Sequence, residues 1–407
     1  MKHIFLLSVL SALTVFAETS LPVSVTEVKQ DPKSRMVTVV YDLAEEAIVT
    51  VELYLDGVKI DVPGGWVGDV SKKCTAGAGK RAYWRPRGDF SRTSGALTAK
   101  VNLWTESNPP DYMSVDFNSK AKRYYASTNE LPYSIAADYY RKYAMLFRRI
   151  PAKGVTFRMG TPGAGLTAAY ADELCHEVTL TNDFYIGVFP VTQGQWRTID
   201  NKENADPSLQ QDRPDSDLCP MDNISYYDTI KLVGGKEAGD WYVKNSWYYG
   251  ITDDAQKGWL YRFWKKTGLE NVGIPTEAQW EFACRAGEGA ETYDPDSSLD
   301  ELAWYNGNSG GRTHPVGLKK PNAWGLYDML GNIWEHCLDH CSLGTDPVTM
   351  PYTNGGQATK TVRGGSYANS GVYCRSAKRT YLATWGQWVV AETRKPSGGV
   401  RIIVGIH

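Results

Sequence analysis

The sequence predicts an α+β chain in two unequal parts: an all-β sandwich, then a larger domain with little regular secondary structure. Three observations carry this. Residues near 20–118 fall into short alternating β-branched runs. The rest of the chain holds few helical patterns, the clearest over 276–285. Among 407 residues there are 39 Gly, 14 Trp and 25 Tyr, a mix that favours aromatic-rich packing and tight turns over a helical bundle. At roughly 100–200 residues per domain the length allows two or three domains. The 44 basic and 46 acidic side chains leave a net charge of −2, and no basic stripe runs along the chain, so no nucleic-acid footprint is expected.

Residues 1–17 read as a signal peptide. Lys2 and His3 precede an apolar run over 4–16, and Val15, Phe16 and Ala17 set up a cut before Glu18. The run is too short to span a bilayer. No Cys follows the cut, so no lipid anchor is expected, and no later segment is apolar enough to span a membrane. The expectation is a secreted or periplasmic protein. Seven cysteines remain, at 74, 175, 219, 284, 337, 341 and 374. An oxidising compartment permits disulfides, the odd count leaves at least one thiol over, and the pairing stays open.

Residues 18–118 are expected to form the sandwich, of immunoglobulin or fibronectin-like type. Its strand patterns lie over 36–41, 48–55 and 99–104, separated by turn signals such as Asp56-Gly57 and Pro63-Gly64-Gly65. Arg87-Gly88-Asp89 falls here and is read as a chance match. Residues 119–149 are expected to be a linker and a helix, the connection running over 109–132 and the helix over 133–149. Residues 150–407 form the second domain. Its helix over 276–285 is opened by Pro275 and Thr276 and closed by Gly287.

Motifs in the second domain point to a family. They read GVTFRMG at 154–160, DFYIGVFPVTQ at 183–193, IPTEAQWE at 274–281, PNAWGLYDMLGNIWE at 321–335, VRGGSY at 362–367 and GVR at 399–401. In this order they resemble the formylglycine-generating enzyme (sulfatase-modifying factor) family, over nearly all of residues 150–404 and not over the N-terminal β region. The resemblance implies a variant of the C-type lectin fold, poor in regular secondary structure. It also implies structural calcium held by Asp328, the carbonyls of Gly331 and Ile333, and Glu335. Carboxylates alternating with carbonyls are the oxygen shell a hard cation takes, so calcium is expected to raise the thermal midpoint and Glu335→Gln to remove most of the gain.

The same resemblance implies copper(I) at two cysteines, three and eight residues after the Ser of the RGGS motif, where the family oxidises a substrate cysteine with molecular oxygen. Soft thiolates suit a soft monovalent ion, and a linear site needs both. Here Asn369 stands at the first position and Cys374 at the second; aligning on residues 375–379 instead moves Cys374 out of register. Cys374 is thus the one candidate catalytic thiol, with Cys337 or Cys341 as its conceivable partner, and copper is expected only if the protein is an oxidase.

The preferred reading is a binding module for a protein, peptide or glycan, with a ligand surface at Ser366, Tyr367, Asn369, Tyr373 and Arg375. Related scaffolds display the segment 367–396, which here also carries Tyr381, Trp385 and Trp388. The alternative is a formylglycine-generating oxidase. A last cluster, His336, Cys337, Asp339, His340 and Cys341, offers two i, i+4 pairs that would each share a face on a helix. Those pairs lie about 100° apart and cannot close a tetrahedral site. They are read as exposed His with disulfide-capable Cys. His176 and Glu177 are read as edge-strand surface residues.

Overall fold

The computed structural model describes residues 22–86, 95–162, 173–200, 207–230, 258–287, 292, 294, 296–340, 360–381, 394 and 396–406. The signal peptide, Arg87-Gly88-Asp89, Cys341 and much of 367–396 lie outside the described residues.

The N-terminal part is built from β1 (Val23–Gln30), β2 (Val37–Leu43), β3 (Ala47–Leu55), β4 (Val58–Ile60), β5 (Trp66–Gly68), β6 (Lys72–Cys74), β7 (Gly77–Trp84) and β8 (Leu97–Trp104). One sheet runs β1-β2-β7-β5; in the other, β3 pairs with β8 on one side and with β4 and β6 on the other. The alternation in the sequence explains the core. Val37, Val39 and Tyr41 of β2 meet Val49, Val51 and Leu53 of β3 in one buried cluster, with Trp66 and Trp84 6.5 Å apart beside them. The opposite face of β3 is buried too. Ile48 joins the core of the second domain, Thr50 accepts the Trp104 indole N–H at 3.0 Å, and Ser71 O accepts the Tyr124 amide at 2.8 Å. The sandwich is therefore seated on its neighbour.

The second part continues with β9 (Tyr112–Asp116), β10 (Lys122–Tyr125), α1 (Tyr139–Lys142), β11 (Ala144–Ile150), β12 (Thr156–Met159), β13 (His176–Thr179), β14 (Phe184–Gly187), α2 (Gln193–Asp200), α3 (Tyr226–Ile230), α4 (Trp259–Thr267), β15 (Val272–Gly273), α5 (Glu277–Arg285) and α6 (Leu299–Leu302). It ends with β16 (Trp334–His340), β17 (Lys360–Arg363), β18 (Arg379–Tyr381), β19 (Gly398–Gly399) and β20 (Ile403–Gly405). A sheet of order β10-β9-β11-β14-β20-β15 forms the base, and a second of order β18-β17-β16-β19 carries the motifs. The architecture is α+β with low helix content. No helix among the described residues is long and apolar enough to cross a membrane.

One expectation is corrected and another is met. The stretch 119–149 is not a linker and helix: β10 and most of β11 come from it, and helix is limited to a 3-10 turn over Thr128–Glu130 and to α1. Ala144, Met145, Leu146 and Phe147 are buried in succession, and such a short apolar run reads equally as helix or as a strand covered on both faces. The sheet it joins decides for strand. The helix at 276–285 is present as α5, with Thr276 and Gln279 forming a reciprocal capping box and Ala286 and Gly287 both left-handed at its end. Five of its residues face the buried cluster behind the motifs.

Candidate functional site

The RGGS motif leaves β17 and turns inside the domain. Gly364 (φ 97°) and Gly365 (φ 79°) are both left-handed. A Cβ on Gly364 would lie 3.0 Å from Met329 O; one on Gly365 would lie 2.9 Å from the Cys374 Sγ and 3.0 Å from Tyr373 O. Only glycine admits this passage. Gly365→Ala is expected to cost about 2–4 kcal/mol, from left-handed strain plus overpacking, read as a lowered denaturant midpoint.

Arg363, fully buried, enters this turn as the hub of an ion network. Its Nε lies 2.9 Å from Glu277 Oε1 and its Nη2 bonds Glu281. Its Nη1 donates to Ser376 O at 2.9 Å and Lys378 O at 3.1 Å. The loop carrying Cys374 is thereby tied to α5. Glu281 also accepts the Gly160 amide at 2.8 Å and Arg285 Nη2 at 2.7 Å. Burial pushes the Glu281 carboxyl up, but Arg363, Arg285 and the Gly160 N–H outweigh it and hold the group below its ordinary range.

Asn369, at the position of the first family cysteine, is committed. Its Oδ1 accepts the Trp334 indole N–H at 2.7 Å and the Ser366 hydroxyl, and its carbonyl accepts the Asn306 amide at 2.9 Å. Cys374 is fully buried in an apolar cluster, and burial pushes its thiol up to about 12. Copper(I) does not fit: one of its two positions is a hydrogen-bonded amide, and Cys337, the described candidate for a second thiol, directs its Sγ to Glu335 O at 3.9 Å, with its pKa also raised by burial.

The expected ligand surface divides. Ser366, Tyr367 and Arg375 are buried, not displayed. Tyr367 O accepts the Ser309 hydroxyl at 2.8 Å, and Arg375 makes a bidentate pair with Glu173, both contacts at 2.7 Å. Their polar groups serve the frame, because a motif that closes a turn inside the domain must satisfy its buried backbone. Asn369 is half-buried, and Tyr373 is 38% exposed. The sequence reading missed Val372, 66% exposed, and Trp334, which meets the Tyr373 ring edge-on at 6.2 Å. A Gly-Val-Tyr turn between polar residues was the available signal.

The calcium set is likewise redirected. Asp328 is left-handed (φ 53°) and buried. Its carboxylate accepts the Gly317 amide at 2.7 Å and Asn332 Nδ2 at 3.2 Å, and burial pushes it up to about 6. Gly331 O accepts the Ile333 amide at 2.8 Å. Glu335, however, is the counter-ion of Arg401. Arg401 Nε reaches its two oxygens at 3.1 and 3.0 Å and Nη2 reaches Oε1 at 2.8 Å, while the Trp280 indole N–H reaches Oε2 at 2.6 Å. A guanidinium already balances this carboxylate and would repel a dication beside it, so the four groups do not fit calcium as arranged. Arg401 also donates to Gly187 O, Val188 O and Tyr327 O, pinning the base sheet to the motif loop.

The described members of the His/Cys cluster, His336, Cys337, Asp339 and His340, lie on strand β16, not a helix, so successive residues alternate between faces. His336 is buried, its Nε2 3.3 Å from Ile224 O, and burial pushes it down to about 4. Asp339 accepts the Glu277 amide at 2.6 Å, and burial followed by Glu277 pushes it up to about 7. The reading of these His residues as exposed therefore fails for His336. Among the described residues no group of three or more His, Cys, Asp or Glu is arranged to hold a metal. His176 and Glu177 lie on β13, which pairs only with β12 in its two-stranded sheet.

A family model described as the sulfatase-modifying factor enzyme 1-like domain matches residues 148–406. A chaperone protein, LppX, of Paenibacillus barcinonensis is 30% identical over 219 residues, 46% of this chain and 72% of that protein. The formylglycine-generating enzyme of Mycobacterium tuberculosis is 26% identical over 279 residues, 56% and 90% of the two chains. The solved structure of Treponema denticola variable protein 1 matches with a TM-score of 0.47 at 21% identity, covering 67% of this chain and 97% of that one.

Proposed function

The chain belongs to the sulfatase-modifying factor enzyme 1-like family, and from that premise we propose that it is an exported binding member, engaging a protein, peptide or glycan instead of oxidising a cysteine. Asn369 carries the reading. An amide whose oxygen is held by Trp334 and Ser366 stands where a copper site needs a thiolate. Cys374, five residues on, is buried, and burial pushes its thiol up to about 12, the setting of an inert structural cysteine and not of a reactive thiolate. What the motif loop does offer outward is the apolar Val372 and the Tyr373 ring, braced by Trp334. Rigid aromatic anchors of this kind dominate contact energies. The relative named as a chaperone, covered over 72% of its length, supports protein or peptide as the ligand.

The purified protein incubated with copper(I), oxygen and a sulfatase-motif peptide is expected to take up no copper at Cys374 and to leave the peptide mass unchanged. Conversion to the aldehyde, lost in Cys374→Ser, would establish the oxidase alternative. On peptide and glycan arrays, the double change Val372→Ser and Tyr373→Ala is expected to weaken the captured ligand at least about tenfold, the scale of one anchor residue. Capture indifferent to both changes refutes the assigned surface.

A further inference from the structure

Besides the contacts of β3 and Ser71, the sandwich meets the family domain through one short connection. The segment 126–132, between β10 and α1, holds the 3-10 turn Thr128–Glu130 and lies against the turn that joins β4 to β5. A Cβ on Gly65 would come within 3.3 Å of both Glu130 O and Pro132 Cβ. Asn129 Nδ2 donates to Asp61 Oδ1 at 2.9 Å. On the other side Leu131 is buried in a cluster with Tyr125 and Tyr140 of the family domain.

Glu130 carries a carboxyl into this junction and is only 4% exposed. Its one hydrogen bond among the described residues comes from the Ala126 amide, to Oε2 at 2.9 Å. The charged and titratable groups around it are Glu52 of β3, Lys59 of β4 and Tyr125 of β10, with Asp61 bonded to the neighbouring Asn129. Lys59 is already bonded to Glu52 at 2.6 Å. A buried charge needs a partner of its own, so the neutral acid is the form that fits the closed junction. Burial pushes the Glu130 carboxyl up to about 7, with Glu52 adding to the rise and the Ala126 N–H and Lys59 opposing it. Burial raises Glu52 as well, but hydrogen bonds from Lys59 and Tyr54 outweigh it and hold that carboxyl below its ordinary range. Burial pushes the Tyr125 hydroxyl up, away from neutrality.

We propose that the segment 126–132 is a proton-operated clasp between the two parts of the chain. With Glu130 neutral it closes on the 61–65 turn of the sandwich; with Glu130 ionised it lifts, so that the carboxylate reaches water. The sign follows from linkage. A carboxyl raised in the closed form stabilises that form fully below its open-form value, about 4.3, and the stability is lost as pH rises through the closed-form value. The clasp is therefore shut in mild acid and loosens up to neutrality, above which it changes no further. It involves neither Asn369, Cys374 nor Tyr373, so it stands or falls apart from the function proposed above.

Amide hydrogen exchange on the full mature chain from pH 5 to pH 8, corrected for intrinsic rates, tests it. The Glu130 and Leu131 amides report the clasp, since they donate within it to Ser127 O at 3.3 Å and Thr128 O at 3.2 Å. Their protection is expected to fall at least about tenfold across that range, the effect of a carboxyl that must ionise on opening. The amides that pair β2 with β7 inside the sandwich are expected to stay unchanged. Glu130→Gln, neutral and of the same shape, is expected to keep the acid-form protection at every pH. The Glu130 carboxyl carbon of the wild type, followed by NMR, is expected to titrate near neutrality, and this measurement decides if the variant fails to fold. Flat protection in the wild type, a pH dependence that survives in Glu130→Gln, a loss shared by the β2 and β7 amides, or a carboxyl that titrates near its ordinary value overturns the proposal.

Discussion

Glu335→Gln is expected to destabilise the protein by about 3–5 kcal/mol, the scale for breaking a buried ion pair from one side, and by the same amount in calcium and in chelator. The glutamate is buried against a guanidinium that is itself fully buried. Neutralising it strands the Arg401 charge among three backbone carbonyls and leaves the Trp280 indole a weaker acceptor. Arg401→Met is expected to cost a similar amount by stranding the carboxylate. The double variant is expected to cost clearly less than the sum, since it leaves neither charge unpaired. Urea denaturation of the four proteins reads all three values. A calcium-dependent midpoint in the wild type that vanishes in Glu335→Gln would restore the metal-ligand role the motif implies. The structure gives that role to arginine because the GVR motif reaches Glu335 through β20's neighbourhood, a contact separated by 66 residues.

That contact shows what the sequence could and could not disclose. The strands of the sandwich were legible because alternate residues reach one apolar core, as the run Val37, Val39, Tyr41 shows. Helix α5 was legible because its ends are marked locally, by Pro275 and Thr276 at the start and Gly287 at the close, and the structure adds the Thr276–Gln279 capping box. The family was legible because its motifs are long and ordered, and the family domain matches over 148–406. The roles of single residues within those motifs were not. Arg375 resembles a surface ligand group until Glu173, 202 positions away, takes it bidentately. The i, i+4 pairs His336/His340 and Cys337/Cys341 would each share a face on a helix, but spacing alone does not fix period, and the pairing of β16 with β17 makes 334–340 a strand. Asn369 was legible as a missing thiol; that its amide is locked by Trp334 was not, because the partner lies 35 residues earlier.

Arg363→Met is expected to cost about 3–5 kcal/mol at neutral pH, again by the one-sided loss of a buried pair, and the loss is expected to shrink in acid. The arginine faces two buried carboxylates, Glu277 and Glu281, and also holds the carbonyls of Ser376 and Lys378. In the wild type the Glu281 carboxyl lies below its ordinary value. A carboxyl depressed by folding adds stability above its unfolded pKa, about 4.3, and that stability is lost as pH falls through the folded value. Removing Arg363 lets burial raise Glu281, so the variant loses less than the wild type on acidification and the two stability curves converge below about pH 4. Arg363→Lys is not expected to rescue the fold, because one ammonium cannot serve two carboxylates and two carbonyls with the geometry of a planar fork. Denaturant midpoints from neutral pH down to pH 3.5 measure the convergence. A gap that stays constant would mean that Arg363 acts through the two carbonyls alone, and that the loop bearing Asn369 and Cys374 is held to α5 without its ion network.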